Sequence, residues 1–389
     1  MRELLNKAMA LQEEMSAWRQ AFHMRPELTG QEAGTHRMIR GFLAGMGVPF
    51  VTAGDTITVA HIDGKRPGKR AAIRADTDAL PVTEETGATY TSLTTGVMHA
   101  CGHDIHMAVG LGAAKLLFIM RETFQGKALI IFQPAEEGGH GAQRVVESGL
   151  VDGVDSFFAL HVWPQLETGY YHLSAGPVCA ATDRLMIDVS GRGGHGAYPE
   201  MSRQALLAAA ETALALSALV PRKPEDRPMH VMSIGEMHAG SYWNVIPGAA
   251  RLEASLRTLD ARLREDLLGQ IENIARETAH KHGCGASLEV DAVCGIVYND
   301  EALVSRARPA IEEALGTYAV ANQERAFIGD DFSDYRALGP CCYAHLGVMR
   351  PGQEEVFALH HPRFDPDESA MPIGAAGLCA SVLGALGTE

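Results

Sequence analysis

Apolar residues along the chain form short continuous runs that alternate with helix-like segments through the first 165 residues. The continuous runs predict strands at 56–61, 71–74, 128–132 and 157–160, and the small-residue-rich segment 107–120 predicts a helix. Strands that are buried on both faces have this continuous pattern because helices cover both sides of their sheet. The first part of the chain therefore predicts an α/β domain with a largely parallel sheet.

The pattern changes after residue 182. A strand at 185–189 leads into a glycine-rich turn, and the elements that follow are a helix, two strands, a helix and a strand, at 205–219, 231–237, 249–256, 259–281 and 287–293. This βαββαβ order is typical of a ferredoxin-like α+β domain. Helix–strand alternation then returns. We predict a discontinuous two-domain α/β protein, in which 1–182 and 297–389 form one domain and 183–296 are inserted in it.

Composition and charge narrow the possible functions. The 389 residues include 48 acidic and 33 basic side chains, a net charge of −15, which argues against partners with phosphate backbones or anionic lipid surfaces. We expect no membrane association, because no apolar run approaches the roughly 18 residues of a membrane span. The N-terminus lacks the apolar region of a signal peptide, and the seven scattered cysteines do not resemble a secreted disulfide framework, so we expect a cytoplasmic protein.

Potential metal ligands fall in four segments, three of which lie at or just after predicted strand ends, where α/β proteins build their sites. The four segments contain Cys101 and His103, then Glu136 and Glu137, then His161, and finally His360 beside His361. A cysteine and a histidine on either side of a glycine can face one ion, and of two adjacent carboxylates one can bind metal while the other handles a proton. Taken singly, each residue is more often structural. Their combination and order favour a metal site.

Seven segments, taken in their order along the chain, resemble the M20 metallopeptidases, specifically the branch of amidohydrolases, aminoacylases and hippurate hydrolases. They include His-Ala-Cys-Gly-His-Asp at 99–104 and Gln-Pro-Ala-Glu-Glu-Gly at 133–138, and the others lie at 18–28, 74–81, 194–195, 244–247 and 359–364. The resemblance covers nearly the whole chain. It implies a zinc-peptidase-like catalytic domain whose inserted domain serves as a lid and a dimerisation domain.

The resemblance also implies a site for two divalent metal ions. Cys101 would bridge them, and the remaining ligands would be His103, Glu137, His161 and His360. Glu136 would be the general base, and Asp76 would orient the groups around the metals. Relatives with an ordinary dizinc site have His at the position of Arg74 and Asp at that of Cys101. A mixed thiolate, imidazole and carboxylate set suits Zn²⁺ or Mn²⁺, and also Co²⁺ or Ni²⁺.

Three residues of the inserted segment complete the implied site. His195 would stabilise the oxyanion and reach the active site of a neighbouring subunit, and Asn244 and Arg257 would hold the substrate carboxylate. Arginine suits that role because its planar guanidinium can meet a carboxylate with two hydrogen bonds. The expected assembly is a homodimer formed through the inserted domain.

The implied activity is hydrolysis of the amide bond of N-acetyl or N-aroyl amino acids to a carboxylic acid and a free amino acid. Two alternatives within the same chemistry are N-acetyldiaminopimelate deacetylase and a metallo-carboxypeptidase or dipeptidase. A non-catalytic scaffold is a remote alternative, because such a protein is expected to lose Glu136 or Cys101, and both are present.

Overall fold

The computed structural model describes residues 2–138, 140–219, 229–322 and 324–387, and the chain divides into two units. The large unit comprises Met1–Val178, Tyr298–Glu324 and Asp331–Glu389, and the small unit comprises Cys179–Val297 and Arg325–Asp330. The segment Arg325–Asp330 belongs to the small unit, although the predicted bounds place it in the other domain. Its backbone pairs with the small unit, where the Ala180 amide donates to the Ile328 carbonyl at 3.0 Å.

The large unit contains one eight-stranded sheet, in the order β1-β2-β4-β3-β5-β16-β6-β15. Its strands are β1 (Phe50–Ala53), β2 (Ile57–Asp63), β3 (Arg70–Asp76), β4 (Lys127–Gln133), β5 (Ser156–Glu167), β6 (Tyr171–His172), β15 (Val320–Ala321) and β16 (Cys341–Met349). The central strands β4, β3, β5 and β16 are parallel, as expected. The outer strand pairs β1–β2, β2–β4 and β16–β6 are antiparallel, a detail that the prediction of a largely parallel sheet did not include. The hairpin turn between β1 and β2 explains the first of these, because so short a connection can only join antiparallel strands.

Helices cover this sheet. They are α1 (Arg2–Met9), α2 (Gln12–His23), α3 (Ala33–Gly45), α4 (His103–Ile119), α5 (Gly141–Glu147), α8 (Glu301–Leu315) and α9 (Met371–Leu386). Helices α4 and α9 pack on the central strand β3, and α1, α2 and α8 pack in turn on one or both of these helices. The approach of α4 is close: a Cβ atom on Gly110 would lie 3.1 Å from the Ala75 Cβ. The sheet edge that carries the candidate site is therefore held by a rigid core.

The most apolar helical segment, Glu368–Leu386, corrects one expectation from the sequence. By length and composition it is able to cross a membrane, although no run of that kind was expected. In the fold, 72% of its apolar window is buried inside the protein. This is how the core helix of an α/β domain behaves, since it is covered by other elements on most of its surface.

The small unit contains a four-stranded antiparallel sheet in the order β10-β12-β8-β13. Its main elements are β8 (Ala181–Ser190), α6 (Ala205–Leu216), β10 (His230–Ala239), β12 (Ala249–Thr258), α7 (Ala261–Lys281) and β13 (Gly285–Cys294). A separate two-stranded ribbon joins β9 (Gly194–His195) to β11 (Val245–Ile246). The remaining strands, β7 (Gly176–Cys179) and β14 (Val297–Asn299), lie where the chain passes between the units.

Candidate metal centre

The candidate site lies at the carboxyl ends of the parallel strands of the large unit. Strands β3 and β4 end side by side, with Asp76 opposite Gln133, so the loops that follow them begin at the same edge. The next strand on this side, β5, contributes His161. Parallel pairing is therefore what brings together segments that are far apart in the sequence.

A glycine allows Cys101 and His103 to face the same space. Gly102 has φ 84°, and a Cβ atom there would lie 2.5 Å from Val162 Cγ2, so both the backbone conformation and the packing require glycine. Cys101 Sγ lies 3.4 Å from His161 Nε2. One potential ligand atom from each of Cys101, His103 and His161 lies within 4.8 Å of the other two, and all three residues are buried.

Glu136, Glu137 and His360 lie beside this group. The ligand atoms of Cys101, Glu137 and His360 lie within 4.8 Å of one another, and so do those of His103, Glu136 and Glu137. The backbone amide of His360 donates to the Ala100 carbonyl at 2.8 Å, which anchors the C-terminal loop next to Cys101. His360 has φ 67°, a left-handed conformation that is uncommon for a residue other than glycine and often occurs at functional sites.

Hydrogen bonds at Nδ1 orient the two buried histidines with their Nε2 atoms towards the cluster. His103 Nδ1 donates to the Asp78 carbonyl at 2.9 Å, and His161 Nδ1 donates to the Val162 carbonyl at 2.8 Å. A neutral imidazole that donates from Nδ1 carries its lone pair on Nε2. Metal-binding histidines are commonly oriented in this way, by a carbonyl or a carboxylate on the other ring nitrogen.

Two buried atoms of the cluster have no hydrogen-bond partner in the part of the chain that the structure describes, namely His103 Nε2 and Glu137 Oε1. Leaving such atoms unsatisfied costs free energy, so they indicate a group that the protein chain itself does not supply. A divalent cation fits them, because it accepts a lone pair from each and its preferred ligands include thiolate, imidazole and carboxylate.

The pKa values agree with a site that competes with protons. Burial opposes charge on His103, but Asp76 and Asp78 outweigh it and raise its pKa to about 10. Burial, followed by Glu137 and Glu136, raises the pKa of the Cys101 thiol well above its usual range. Burial and the neighbouring His106 hold the pKa of His161 well below its usual range. Binding of a cation would therefore displace protons from His103 and Cys101.

Asp76 lies behind the cluster. It is fully buried and accepts a hydrogen bond from His106 Nδ1 at 2.6 Å and another from the Arg74 guanidinium. The Arg74 side chain also donates to Gln133 and Asp331, both at 3.0 Å. Burial opposes ionisation of Asp76, yet Arg74, His103 and His106 hold its pKa well below the usual range. Asp76 is 3.7 Å from His103 Nε2, so its charge acts on the neighbouring imidazoles.

The three remaining predicted residues lie in the small unit. His195 and Asn244 are adjacent there, because His195 pairs with Val245 and the Gly196 amide donates to the Asn244 carbonyl at 2.9 Å. His195 is exposed, and its Nδ1 accepts a hydrogen bond from the Ala197 amide at 3.0 Å. Arg257 is on a different strand, β12, where its Nη1 donates to the Phe327 carbonyl at 2.8 Å.

The sequence interpretation missed two buried carboxylates beside the cluster, Asp78 and Glu32. Both accept hydrogen bonds from backbone amides of the loop that carries Glu136 and Glu137. The only signal available was the second aspartate in Arg-Ala-Asp-Thr-Asp at 74–78, which does not by itself indicate what it contacts.

Comparison with known proteins identifies the family. The sequence profile of Peptidase family M20/M25/M40 matches residues 72–383. The chain is also 34% identical over 362 residues to an N-acetyl-L-cysteine deacetylase of Bacillus subtilis, covering 93% of this chain and 85% of the relative. The chain belongs to the M20/M25/M40 peptidase family. The predicted resemblance to M20 proteins is thus confirmed.

Other relatives and solved structures agree in sequence and in fold. An N-acetyldiaminopimelate deacetylase of Anoxybacillus flavithermus is 34% identical over 359 residues, covering 91% of this chain and 93% of the relative. A Bacillus subtilis crystal structure described as a dinuclear metal binding peptidase of this family matches with TM-score 0.86 and 31% identity, covering 98% of this chain and 99% of that one. A putative aminohydrolase from Staphylococcus aureus matches with TM-score 0.91 and 31% identity over the full length of both chains. The mixed α/β fold is therefore that of M20 peptidases.

Proposed function

We propose that the protein is a metal-dependent amidohydrolase that cleaves the amide bond of N-acyl amino acids, releasing a carboxylic acid and a free amino acid. The observation that carries this proposal is the pair of unsatisfied atoms, His103 Nε2 and Glu137 Oε1, in a buried cluster that also holds Cys101 and His161. Relatives named as deacetylases of N-acetylcysteine and N-acetyldiaminopimelate support the substrate class.

The residues that would hold two divalent ions are Cys101, His103, Glu137, His161 and His360. Zn²⁺ or Mn²⁺ suits this mixed set, and Co²⁺ and Ni²⁺ are also suitable. When bound, the ions would make a water molecule nucleophilic near neutral pH and polarise the carbonyl of the amide. The relative described as a dinuclear metal binding peptidase supports the number of ions.

Glu136 is the proposed general base. Its carboxylate would take a proton from the attacking water and deliver it to the nitrogen of the departing amine. It is suited to this because it is half-buried and within 4.8 Å of the potential ligand atoms of His103 and Glu137. Asp76 would act indirectly, by holding His106 and adding negative charge beside His103.

In the small unit, His195 is the proposed oxyanion donor and would act across a dimer interface. Because His195 Nδ1 accepts a hydrogen bond from Ala197, a neutral ring carries its proton on Nε2 and can donate it. Asn244 and Arg257 are the proposed partners of the substrate carboxylate. Arg257 is anchored by the hydrogen bond from its Nη1 to the Phe327 carbonyl.

A homodimer formed through the inserted domain is supported by the surface of the small unit. Most of the large apolar side chains exposed in the described chain lie there, among them Met201, Leu207, Leu214, Tyr242 and Trp243. Trp243 is 87% exposed. Clusters of exposed apolar residues mark interaction surfaces.

We further propose a cytoplasmic location, in keeping with seven cysteines that form no disulfide in the described residues.

The test is a hydrolysis screen with metal-stripped protein to which Zn²⁺, Mn²⁺, Co²⁺ or Ni²⁺ is returned. The substrates are N-acetyl, N-benzoyl and N-succinyl amino acids, N-acetyldiaminopimelate and a set of dipeptides. We expect metal-dependent release of free amino acid from the N-acyl series. Preference for dipeptides or for N-acetyldiaminopimelate would select one of the two alternative activities. Absence of hydrolysis with every metal would contradict the proposal and favour the scaffold.

A further inference from the structure

The loop that carries Glu136 and Glu137 has an unusual backbone. Ala135 has φ 57°, a left-handed conformation that a side chain with a Cβ atom rarely adopts. The carbonyl of the same residue accepts a hydrogen bond from the Gly141 amide at 3.1 Å. Such a conformation persists only where the surroundings hold it, so the contacts of this loop are informative.

Three consecutive backbone amides of this loop donate to buried carboxylates. The Ala135 amide donates to Glu32 Oε1 at 2.9 Å, the Glu136 amide to Asp78 Oδ1 at 3.1 Å and the Glu137 amide to Asp78 Oδ2 at 3.0 Å. Glu32 is 0% exposed and Asp78 is 1% exposed. Hydrogen bonds to charged acceptors are stronger than those to neutral ones, so the loop is held firmly at these points.

Asp78 also holds His103. Its main-chain carbonyl accepts from His103 Nδ1 at 2.9 Å, and its Oδ1 is 3.3 Å from the same nitrogen. The Thr29 hydroxyl donates to Asp78 Oδ2 at 2.7 Å and fixes the carboxylate itself. One residue thus contacts His103, Glu136 and Glu137, which belong to two segments separated by more than thirty positions.

We propose that Asp78, assisted by Glu32, is a positioning residue of the active site, which sets the Glu136–Glu137 loop and the His103 ring in a single geometry. This inference rests on the proposed function for the roles of the three residues it positions. Asp78 is not one of the proposed metal ligands or substrate partners. It acts through its two oxygens, both of which accept a loop amide.

The two carboxylates make a sharp isosteric test possible. Each Asp78 oxygen accepts a hydrogen bond from a loop amide. In Asp78→Asn, an NH₂ group replaces one of these oxygens, and an NH₂ group cannot accept a hydrogen bond from an amide N–H. Glu32 uses only Oε1, which accepts from Ala135 and Gly30, and its Oε2 has no hydrogen-bond partner within the described residues. Glu32→Gln can therefore keep its carbonyl oxygen on the loop and place its NH₂ group at the unused position.

We expect Asp78→Asn to lower kcat with N-acetyl-L-methionine, the affinity for Zn²⁺, or both by about 10- to 100-fold, the usual effect of losing a group that orients metal ligands. KM should change less than kcat, because Asp78 is buried against the loop amides and is not one of the proposed substrate partners. Glu32→Gln should stay within about fivefold of wild type, since it retains its hydrogen bonds. Zn²⁺ affinity is measured on the metal-free protein by competition with a chromophoric chelator.

Asp260→Asn is the matched control. Asp260 also accepts a backbone amide, that of Leu263 at 2.8 Å, but it does so in the small unit at the start of α7. Unfolding midpoints of the metal-free variants show whether each one folds. If Asp78→Asn does not fold, Glu32→Met replaces it. Glu32→Met removes the acceptor for Ala135 and should lose about tenfold or more in kcat or Zn²⁺ affinity, whereas Glu32→Gln should not.

Two results would overturn the inference. One is a folded Asp78→Asn with kcat and Zn²⁺ affinity equal to wild type. The other is equal damage from Asp78→Asn and Glu32→Gln, which would indicate that the negative charges matter and not the hydrogen bonds to the loop. If the wild-type protein hydrolyses no amide, the proposed function fails, but the order of the Zn²⁺ affinities still decides whether Asp78 positions the cluster.

Discussion

The candidate residues of the large unit and those of the small unit differ in burial and in how they are held. Cys101, His103 and His161 are buried, and each of the two histidines is oriented by a backbone carbonyl. His195 and Asn244 lie on a two-stranded ribbon, where His195 is exposed and next to the exposed Tyr198. The buried candidate groups of the large unit are therefore held in place before a ligand binds, whereas His195 is accessible to a partner or a substrate.

One ion pair from each unit shows the same difference. In the large unit, Arg19 is 1% exposed, and its guanidinium donates to Asp104 at 2.7 Å, to Tyr90 at 2.7 Å and to Glu368 at 3.0 Å. In the small unit, Arg184 pairs with Glu253 on the surface of the sheet. A buried charge without its partner is costly, and an exposed one is solvated by water. Changes in the large unit should therefore affect stability or chemistry strongly.

The largest effect is expected from Glu136→Gln. The substitution removes the proposed general base and keeps the size of the side chain, so kcat should fall by roughly 10²–10⁴-fold while the metals remain bound. Steady-state kinetics with metal analysis of the same sample measures both. Glu289→Gln, at an exposed position of β13 in the small unit, is the control. A metal-loaded Glu136→Gln enzyme with wild-type turnover would show that the role assigned to Glu136 is wrong.

The buried network around Arg19 gives the next effect. Among the described residues, Arg19→Met leaves Asp104 with hydrogen bonds from His23 and the Ile105 amide. We expect it to cost about 3–5 kcal/mol of unfolding free energy. Urea unfolding of the metal-free protein measures this cost. Arg184→Met is the matched change in the small unit and should leave the urea midpoint unaltered. Similar losses for the two variants would contradict the contrast between the units.

The sequence was informative about elements and about which side chains meet. Buried strands such as β3 and β4 follow from continuous apolar runs, and the parallel order of strand ends explains why Asp76 and His161 lie at one edge. The family resemblance identified Cys101, Glu137 and His360 as ligands of the same site. The antiparallel outer strands were missed because a short apolar run does not reveal its partner or its direction.

The contacts of Asp78 and Glu32 could not be predicted in the same way. Both bind backbone amides, and every residue except proline offers the same amide, so such a contact leaves no pattern in the sequence. The left-handed conformation of Ala135 is likewise invisible, since an alanine gives no reason to expect it. The path of the loop, and with it the positioning of Glu136, becomes known only from the folded backbone.

His195 tests whether the exposed ribbon of the small unit takes part in the chemistry. We expect His195→Ala to lower kcat by about 10²–10³-fold with little change in metal content, as loss of one oxyanion donor does. His238→Ala is the control, because His238 is an exposed histidine of the same unit that pairs with Glu236. Wild-type activity in His195→Ala would show that His195 of the ribbon takes no part in catalysis.

A mixing experiment asks on which subunit His195 acts. If each site of a homodimer takes Glu136 from one subunit and His195 from the other, a heterodimer of Glu136→Gln and His195→Ala has one complete site. Combining the two inactive variants should then restore about half of the wild-type activity per heterodimer. Verified exchange of subunits without any recovery would place His195 in its own subunit's site or outside catalysis.

The smallest effect concerns a buried histidine of the large unit that lies outside the metal cluster. His36 contacts the hydroxyls of Thr58 and Thr77, and burial, with Arg40 and Arg144, lowers its pKa from 6.5 to about 3. Between these two values the unfolded chain binds a proton that the folded protein excludes. The stability due to neutral His36 is therefore complete above pH 6.5 and is lost as the pH falls towards 3.

The variant His36→Gln cannot gain this proton. The unfolding free energy of the wild type relative to the variant should therefore fall by about 1.4 kcal/mol per pH unit below 6.5. Urea unfolding at pH 8, 6 and 5 measures it, and the pH 8 value gives the packing cost of the glutamine. A constant difference between the two proteins at all three pH values would mean that His36 is protonated equally in the folded and unfolded states.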